Sequence, residues 1–398
     1  MKNNITKLEI KNCVGCRSCL QSCPKECIIM QENNEGFYFP YVEEDKCIEC
    51  GLCIKHCPIL TPVNLAEGNK DYYGLYVKDK NLLLSSSSGG AFVGIASYVL
   101  EKKGVVFGCS YDDNLVAKHI AISICDELIK LQGSKYVASD TNDTYTQVKK
   151  ILDKSSKMVL YTGTPCQIAG LKAFLGKDYS NLYTIDLICH GTPSQKLFSR
   201  YIEWLGNKMK GKVIYYGFRD KDVGGWSCGG KFKTKTKTKT KTKTLEASCD
   251  PYYASFLRGE TYRESCYVCK YANMKRVGDI TIGDFWGVDK YYPNIYNENG
   301  VSCCIVNSKK GKELFNSVSN KFEYFEVKET DLVKNNKNLL QPTLRPNARD
   351  YVYKAVENDY FDDSFLEFDS MFEYWVKKMV RIIFPKQIVL FLKKMIRR

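Results

Sequence analysis

Residues 13–24 read CVGCRSCLQSCP and residues 47–58 read CIECGLCIKHCP, and these two stretches decide how the chain begins to fold. Each is C-x2-C-x2-C-x3-C closed by a proline, and 23 residues separate the last cysteine of the first run from the first of the second. Bacterial-type ferredoxins hold two 4Fe-4S cubanes with this spacing, the fourth cysteine of each run ligating the other run's cluster. Three thiolates, each two residues from the next, wrap one cubane corner by corner. The fourth lies too far along to close the same cube, and the proline after it turns the chain away. The spacing assigns Cys13, Cys16, Cys19 and Cys57 to one cluster, and Cys47, Cys50, Cys53 and Cys23 to the other. A zinc ribbon or a disulfide framework competes with this reading, but zinc sites pair C-x2-C units across a longer gap. Cys27 falls outside the ligand spacing and reads as a packing residue.

At 398 residues the chain is too long for a ferredoxin alone, and its 44% hydrophobic content supplies a buried core. The opening MKNNITKLEIKN has no apolar run of signal-peptide length, and no stretch is apolar enough to span a bilayer. Nineteen cysteines in that context point to metal sites in a reducing cytoplasm rather than to disulfides. The net charge of +14 comes partly from the repeat KFKTKTKTKTKTKT at residues 231–244 and partly from the tail VKKMVRIIFPKQIVLFLKKMIRR. No nucleic-acid-binding motif accompanies this charge, so a nucleic-acid partner is not expected. The tail fits either an anionic membrane surface or the protein's own core. The expected location is cytoplasmic, with peripheral contact at the inner face of the membrane if the tail takes the first course.

Beyond a linker ending near residue 68, apolar strands alternate with amphipathic helices, which is the grammar of α/β layering. Ser86, Ser87, Ser88, Gly89 and Gly90 stand directly before the apolar run AFVGIASYVL. Small residues at a helix N-terminus leave backbone amides free for an anion, or supply a plain serine cap. Two later strands end in GTPC (residues 163–166) and CHGTP (residues 189–193). Loops after strand C-termini are where open α/β sheets bind ligands, so Cys166 and Cys189 are expected at one site. A further C-x2-C, Cys266 and Cys269, makes a candidate foursome with them, for which tetrahedral zinc is the alternative. The segments KVIYYGFRDK and GGWSCGG are expected to continue the sheet. The lysine–threonine repeat reads as an exposed hairpin edge or loop, one face all lysine and the other all threonine. Ser139, Asp140 or Thr141 is the expected cap of the helix over TYTQVKKILDK, and the chain after SCCIVN reads as helix and charged loop.

Six phrases in order, SSSGGAF, GSKYVASD, GTPCQIAGLKAFL, DLICHGTPS, FRDK and CYVCKYANMKRVGDITIGDFWG, resemble the beta-subunit family of coenzyme F420 hydrogenases and dehydrogenases. The version resembled carries an N-terminal two-cluster ferredoxin. The resemblance implies an α+β ferredoxin-like domain (residues 1–68) followed by a larger α/β flavin-binding domain. The latter divides into a beta-subunit N-terminal-type region (residues 69–155) and a C-terminal-type FAD and Fe-S region (residues 156–330). An extension (residues 331–398) bears the basic tail. It further implies FAD and a third 4Fe-4S cluster on Cys166, Cys189, Cys266 and Cys269. The flavin would lie on Ser86 to Gly90 and on Thr162, Gly163 and Thr164, with Lys135 and Arg219 as further contacts. Lys135 and His190 are the candidates for catalytic work, although a histidine at 190 could equally hold its turn by hydrogen bonds. The implied function is an oxidoreductase relaying electrons between a ferredoxin or other redox protein and a two-electron substrate. The alternative is an electron-transfer subunit that feeds a partner enzyme.

Overall fold

The computed structural model describes residues 2–65, 69–221, 225–226 and 229–362; the linker boundary near residue 68 and the basic tail lie outside the described residues. In the N-terminal unit, strands β1 (Ile28–Glu32) and β2 (Tyr38–Val42) pair antiparallel between the two cysteine runs. Each run closes on a one-turn helix, Ser18–Gln21 or Leu52–Lys55, that carries its third cysteine. Cys19, Cys53 and Cys57 are buried with Ile5, Ile28 and Val42, so the cysteines form much of this small unit's interior.

The larger unit is built on β3 (Asp71–Val77), β4 (Val105–Tyr111), β5 (Ala117–Ile122), β6 (Val159–Gly163) and β7 (Leu182–Leu187). A three-stranded group follows, β8 (Lys212–Gly217), β9 (Gly229–Lys235) and β10 (Thr240–Glu246). The chain then returns with β11 (Ile280–Asp284), β12 (Ser302–Val306) and β13 (Phe322–Glu326). Eight strands form one mixed sheet in the order β13-β3-β12-β11-β7-β6-β4-β5. Its centre, β11, β7, β6 and β4, is parallel, and the flanking strands run antiparallel. Successive residues of a strand face opposite sides, and the core follows that alternation. Val106 and Leu160 pack under helices Ala91–Glu101 and Lys309–Val318, whereas Phe107 and Tyr161 pack under Thr144–Lys154 and Pro165–Leu175. The result is a helix–sheet–helix sandwich whose parallel strands all end at one edge.

Four expectations need correction. Strand β8 does not continue the main sheet; with β9 and β10 it makes a separate antiparallel sheet. That sheet packs Val213, Tyr216 and Phe232 against Phe198, Tyr201 and Tyr252. The repeat is a hairpin, but its faces are mixed: Lys235 pairs with Thr240, Lys233 with Thr242 and Lys231 with Thr244. Between β9 and β10 the register sets Lys231, Lys233, Lys235 and Lys241 opposite threonines and Lys243 opposite Phe232, which keeps like charges of these two strands from facing one another. Phe232 and Thr234 within β9 are buried. The N-cap of Thr144–Lys154 is Asp143, and the C-terminal part contributes β13 as an edge strand. No helix among the described residues is long and apolar enough to cross a membrane.

One buried ion pair fixes the end of β7. Asp186 is fully buried and accepts from Arg276 Nη2 (2.8 Å), Thr281 Oγ1 (2.6 Å) and the Gly278 amide (2.8 Å). Arg276 in turn donates to the carbonyls of Leu187 (2.9 Å) and Tyr271 (3.0 Å). The pair thereby ties the strand leading to Cys189 to the loop leading from Cys269. Removing one partner of such a pair leaves an uncompensated buried charge and costs about 3–5 kcal/mol. Arg276→Met should lose stability of that size in anaerobic urea unfolding, and a loss below about 1 kcal/mol would contradict this account.

Candidate functional site

Two small cavities in the N-terminal unit are lined by the cysteines in two groups. Cys13, Cys16, Cys19 and Cys57 surround one, and Cys23, Cys47, Cys50 and Cys53 surround the other. Cys50 is exposed, whereas Cys13, Cys16, Cys19 and Cys57 are buried. Cys27 also lines the second cavity, its Sγ 3.3 Å from that of Cys23.

A third group forms where the sheet meets the N-terminal unit. Cys166 stands in the first turn of helix Pro165–Leu175, which the Thr164–Gln167 capping box starts immediately after β6. Cys189 follows β7, and Cys266 and Cys269 come in on the loop that Arg276 anchors. Burial and then the neighbouring Cys269 and Cys266 thiols push Cys166 up to about 12. Burial is again the first cause for Cys266, pushed up to about 11, and for Cys189, which also feels Cys266, Cys166 and Cys269. The four thiols are half-buried and near enough for Cys166, Cys189 and Cys266 each to feel others of the group, and a thiolate is the form that binds a metal. Among the described residues no three His, Cys, Asp or Glu side chains converge on a point that a single metal ion could occupy.

The first and third groups are neighbours. Gly170 lies one turn along the same helix from Cys166, and a Cβ added there would stand 2.8 Å from Cys16 Cβ and 3.0 Å from Cys16 Sγ. Glycine is what lets the two units approach this closely. Tyr271 feels thiols of both groups, Cys166 and Cys269 on one side and Cys16 and Cys57 on the other.

A cavity of about 660 Å³ opens at the C-terminal edge of the parallel strands. Cys166 and Cys189 line it, as do Ser86, Ser87, Ser88, Gly90, Lys135, Thr162, Gly163, Thr164, His190 and Arg219. Gly89 does not. Its backbone is pressed against β3 and β12, where an added Cβ would meet Leu75 O at 2.3 Å and Ser302 N at 2.5 Å. The hydroxyls of Ser86 and Ser88 donate to the Leu82 and Val301 carbonyls, and Ser87 Oγ accepts from the Ser134 amide. What remains for a ligand there is the N-terminal backbone of Ala91–Glu101, entered through Gly90 at φ +83°. Lys221 holds this loop by donating to the Leu83 and Ser88 carbonyls. Burial lowers Lys135 to about 8, and its Nζ donates to the Gln132 carbonyl (2.7 Å). Arg219 makes a two-pronged pair with Asp284 (2.9 and 3.1 Å) and lies over Trp286, which stacks on Trp226. Burial lowers the His190 pKa, against the pull of Asp284. Val14, Gly15, Arg17 and Tyr38 complete the wall, so the N-terminal unit is part of the cavity.

Sequence reading missed His119, Gln167, Asp284 and Arg263 as lining residues. His119 lies outside every motif, on a strand that pairs beside β4. Its ring donates from Nε2 to the Thr162 carbonyl (3.0 Å) and accepts at Nδ1 from Ser139 Oγ (3.0 Å).

These features define an iron–sulfur electron-transfer protein. A family model for the C-terminal part of the "Coenzyme F420 hydrogenase/dehydrogenase, beta subunit" matches residues 156–332, and a 4Fe-4S dicluster domain matches residues 12–59. Residues 156–332 thus place the C-terminal part of the coenzyme F420 hydrogenase/dehydrogenase beta-subunit family in this chain, with a two-cluster ferredoxin domain at its N-terminal side. A ferredoxin of Streptomyces griseus is 35% identical over 78 residues, 19% of this chain and 68% of that protein. A ferredoxin of Rickettsia felis is 37% identical over 49 residues, 12% of this chain and 40% of that protein, so the chain spans two fifths of its length. The solved F420-reducing [NiFe] hydrogenase complex from Methanosarcina barkeri contains a chain that is 17% identical with a TM-score of 0.44. The match covers 72% of this chain and 91% of that one.

Burial lowers the His119 pKa from 6.5 to about 4, so the unfolded chain binds the proton more tightly. The stabilisation is complete above pH 6.5 and falls as pH drops towards 4. Between pH 7.5 and 5.5 the wild type should lose about 1 kcal/mol more than His119→Gln in urea unfolding; equal losses would contradict the assignment.

Proposed function

We propose that the chain is an iron–sulfur flavoprotein oxidoreductase that relays electrons between a ferredoxin-like donor and a two-electron substrate. It would do so through three 4Fe-4S clusters and FAD. The observation that carries this reading is the file of three four-cysteine groups running from the surface at Cys50 to the cavity at Cys166 and Cys189. When bound, clusters pass single electrons and a flavin exchanges between one- and two-electron chemistry. Cys23, Cys47, Cys50 and Cys53 would hold the outer cluster, where a donor can approach. Cys13, Cys16, Cys19 and Cys57 would hold the middle one, set by Gly170 against the helix of Cys166. Cys166, Cys189, Cys266 and Cys269 would hold the inner one.

A cavity of about 660 Å³ is within the range that takes a cofactor-sized ligand. The Gly90 entry and the helix N-terminus behind it would take an anionic part of FAD. Lys135 and Arg219 would supply positive charge to the cavity wall, the latter aimed by Asp284. His190, in the wall next to Cys189, would be placed to hold or give up a proton. The parts allow flow in either direction. A second reading, in which the chain serves to feed a partner enzyme, is favoured by the exposed apolar side chains Leu187 and Leu257 at the cavity.

Anaerobically purified protein should contain about twelve irons and one FAD per chain. Cys266→Ser should lose a single cluster, about four irons, and keep the other two. Eight irons with zinc and no flavin in the wild type would overturn the proposal.

A further inference from the structure

Arg263 is a buried cation that meets no carboxylate among the described residues. It is 6% exposed, yet its hydrogen bonds go to carbonyl oxygens: Nε to Cys13 (2.6 Å) and Nη2 to Tyr38 (2.7 Å). The guanidinium lies over the rings of Phe39 (4.1 Å) and Phe37 (5.2 Å). Each of the other buried arginines among the described residues meets a carboxylate: Arg276 has Asp186, Arg349 has Glu35, and Arg219 has Asp284. A charge taken out of water without a counter-charge is costly. Arg263 comes from the larger unit, three residues before Cys266, and reaches across to the backbone of Cys13. It also acts on Cys166 and Cys266, favouring the thiolate form of each.

Resting on the three-cluster reading above, we propose that Arg263 is the shared counter-ion of the middle and inner clusters. It is a positioning residue that raises both of their reduction potentials and leaves the outer one alone. Adding an electron makes an anionic cluster more negative, so a fixed positive charge nearby favours the reduced form. The effect is strongest where water is excluded, and the Phe37 and Phe39 rings exclude it on one face. One side chain would then set two adjacent steps of the relay together, and couple them to the docking of the N-terminal unit through Cys13 and Tyr38.

The test uses the full chain, purified anaerobically, with iron and flavin counted and each cluster titrated by EPR-monitored potentiometry. In Arg263→Gln, iron should stay at the wild-type level. Two of the three potentials should fall by at least the equivalent of a tenfold change in the oxidised-to-reduced ratio, about 59 mV for one electron. The third potential should hold, and Arg263→Lys should restore most of the shift. Were Arg263→Gln to fold poorly, Arg263→Met replaces it, keeping an apolar stem over Phe39, and the same two potentials should fall. Three unmoved potentials, or loss of FAD with the potentials unmoved, would overturn the inference and leave Arg263 as a flavin contact or a packing residue. A wild type without three clusters would instead overturn the reading on which it rests.

Discussion

The contact of Asp186 with Arg276 is the constraint on which the rest of the site depends. Three of the four cysteines in the third group come from segments that this pair joins: Cys189 from the end of β7, and Cys266 and Cys269 from the loop whose carbonyls Arg276 holds. Both partners are buried, and their hydrogen-bonding capacity is taken up by Thr281, by the amides of Val277 and Gly278, and by backbone carbonyls. A half-satisfied version of this network would be worse than an apolar core. Its completeness lets an irregular loop hold Cys266 and Cys269 at fixed places.

Around that anchor the two units share one interior. The N-terminal unit is held by Thr141 donating to the Cys16 carbonyl, by His56 at the Ala173 carbonyl, and by Arg349 gripping Glu35. The first two of these contacts lie on the side where Gly170 admits Cys16. The same unit gives Val14, Arg17 and Tyr38 to the cavity wall. Electron transfer between units is fast only across short distances, so this packing is itself functional under the proposed relay. The chain's length follows the same logic: the larger sheet brings strand ends, a cavity and a cysteine foursome to a place the ferredoxin unit can reach.

Much of this was legible in the sequence because its signals are local. Duplicated cysteine spacing, apolar strands alternating with helices, and Gly-Thr-Pro turns are all read over short stretches of chain. The cavity residues flagged by motif after β6 and β7 fall together because strand ends of a parallel sheet share an edge, whereas Arg219 arrives from the end of β8 in the separate sheet. Gly89 did not, since its role is to let the loop pass close to β3 and β12. What escaped was set by long-range partners. His119 and Arg263 carry no motif; their meaning comes from Thr162 and Ser139 in one case and from Cys13 and Tyr38 in the other. The separate sheet of β8, β9 and β10 escaped for a similar reason. Its strands look like any others until the tyrosine-rich core that includes Tyr201, Tyr216 and Tyr252 shows where they pack.

The central claim is that three cysteine foursomes lead in file to one cavity. Diffraction from anaerobically grown crystals, recorded on either side of the iron absorption edge, tests it most directly. The account predicts three compact iron peaks. The innermost would lie among Cys166, Cys189, Cys266 and Cys269, and the middle one beside Cys16 and Gly170. Two iron peaks, with a zinc-edge peak or nothing at the innermost position, would contradict it.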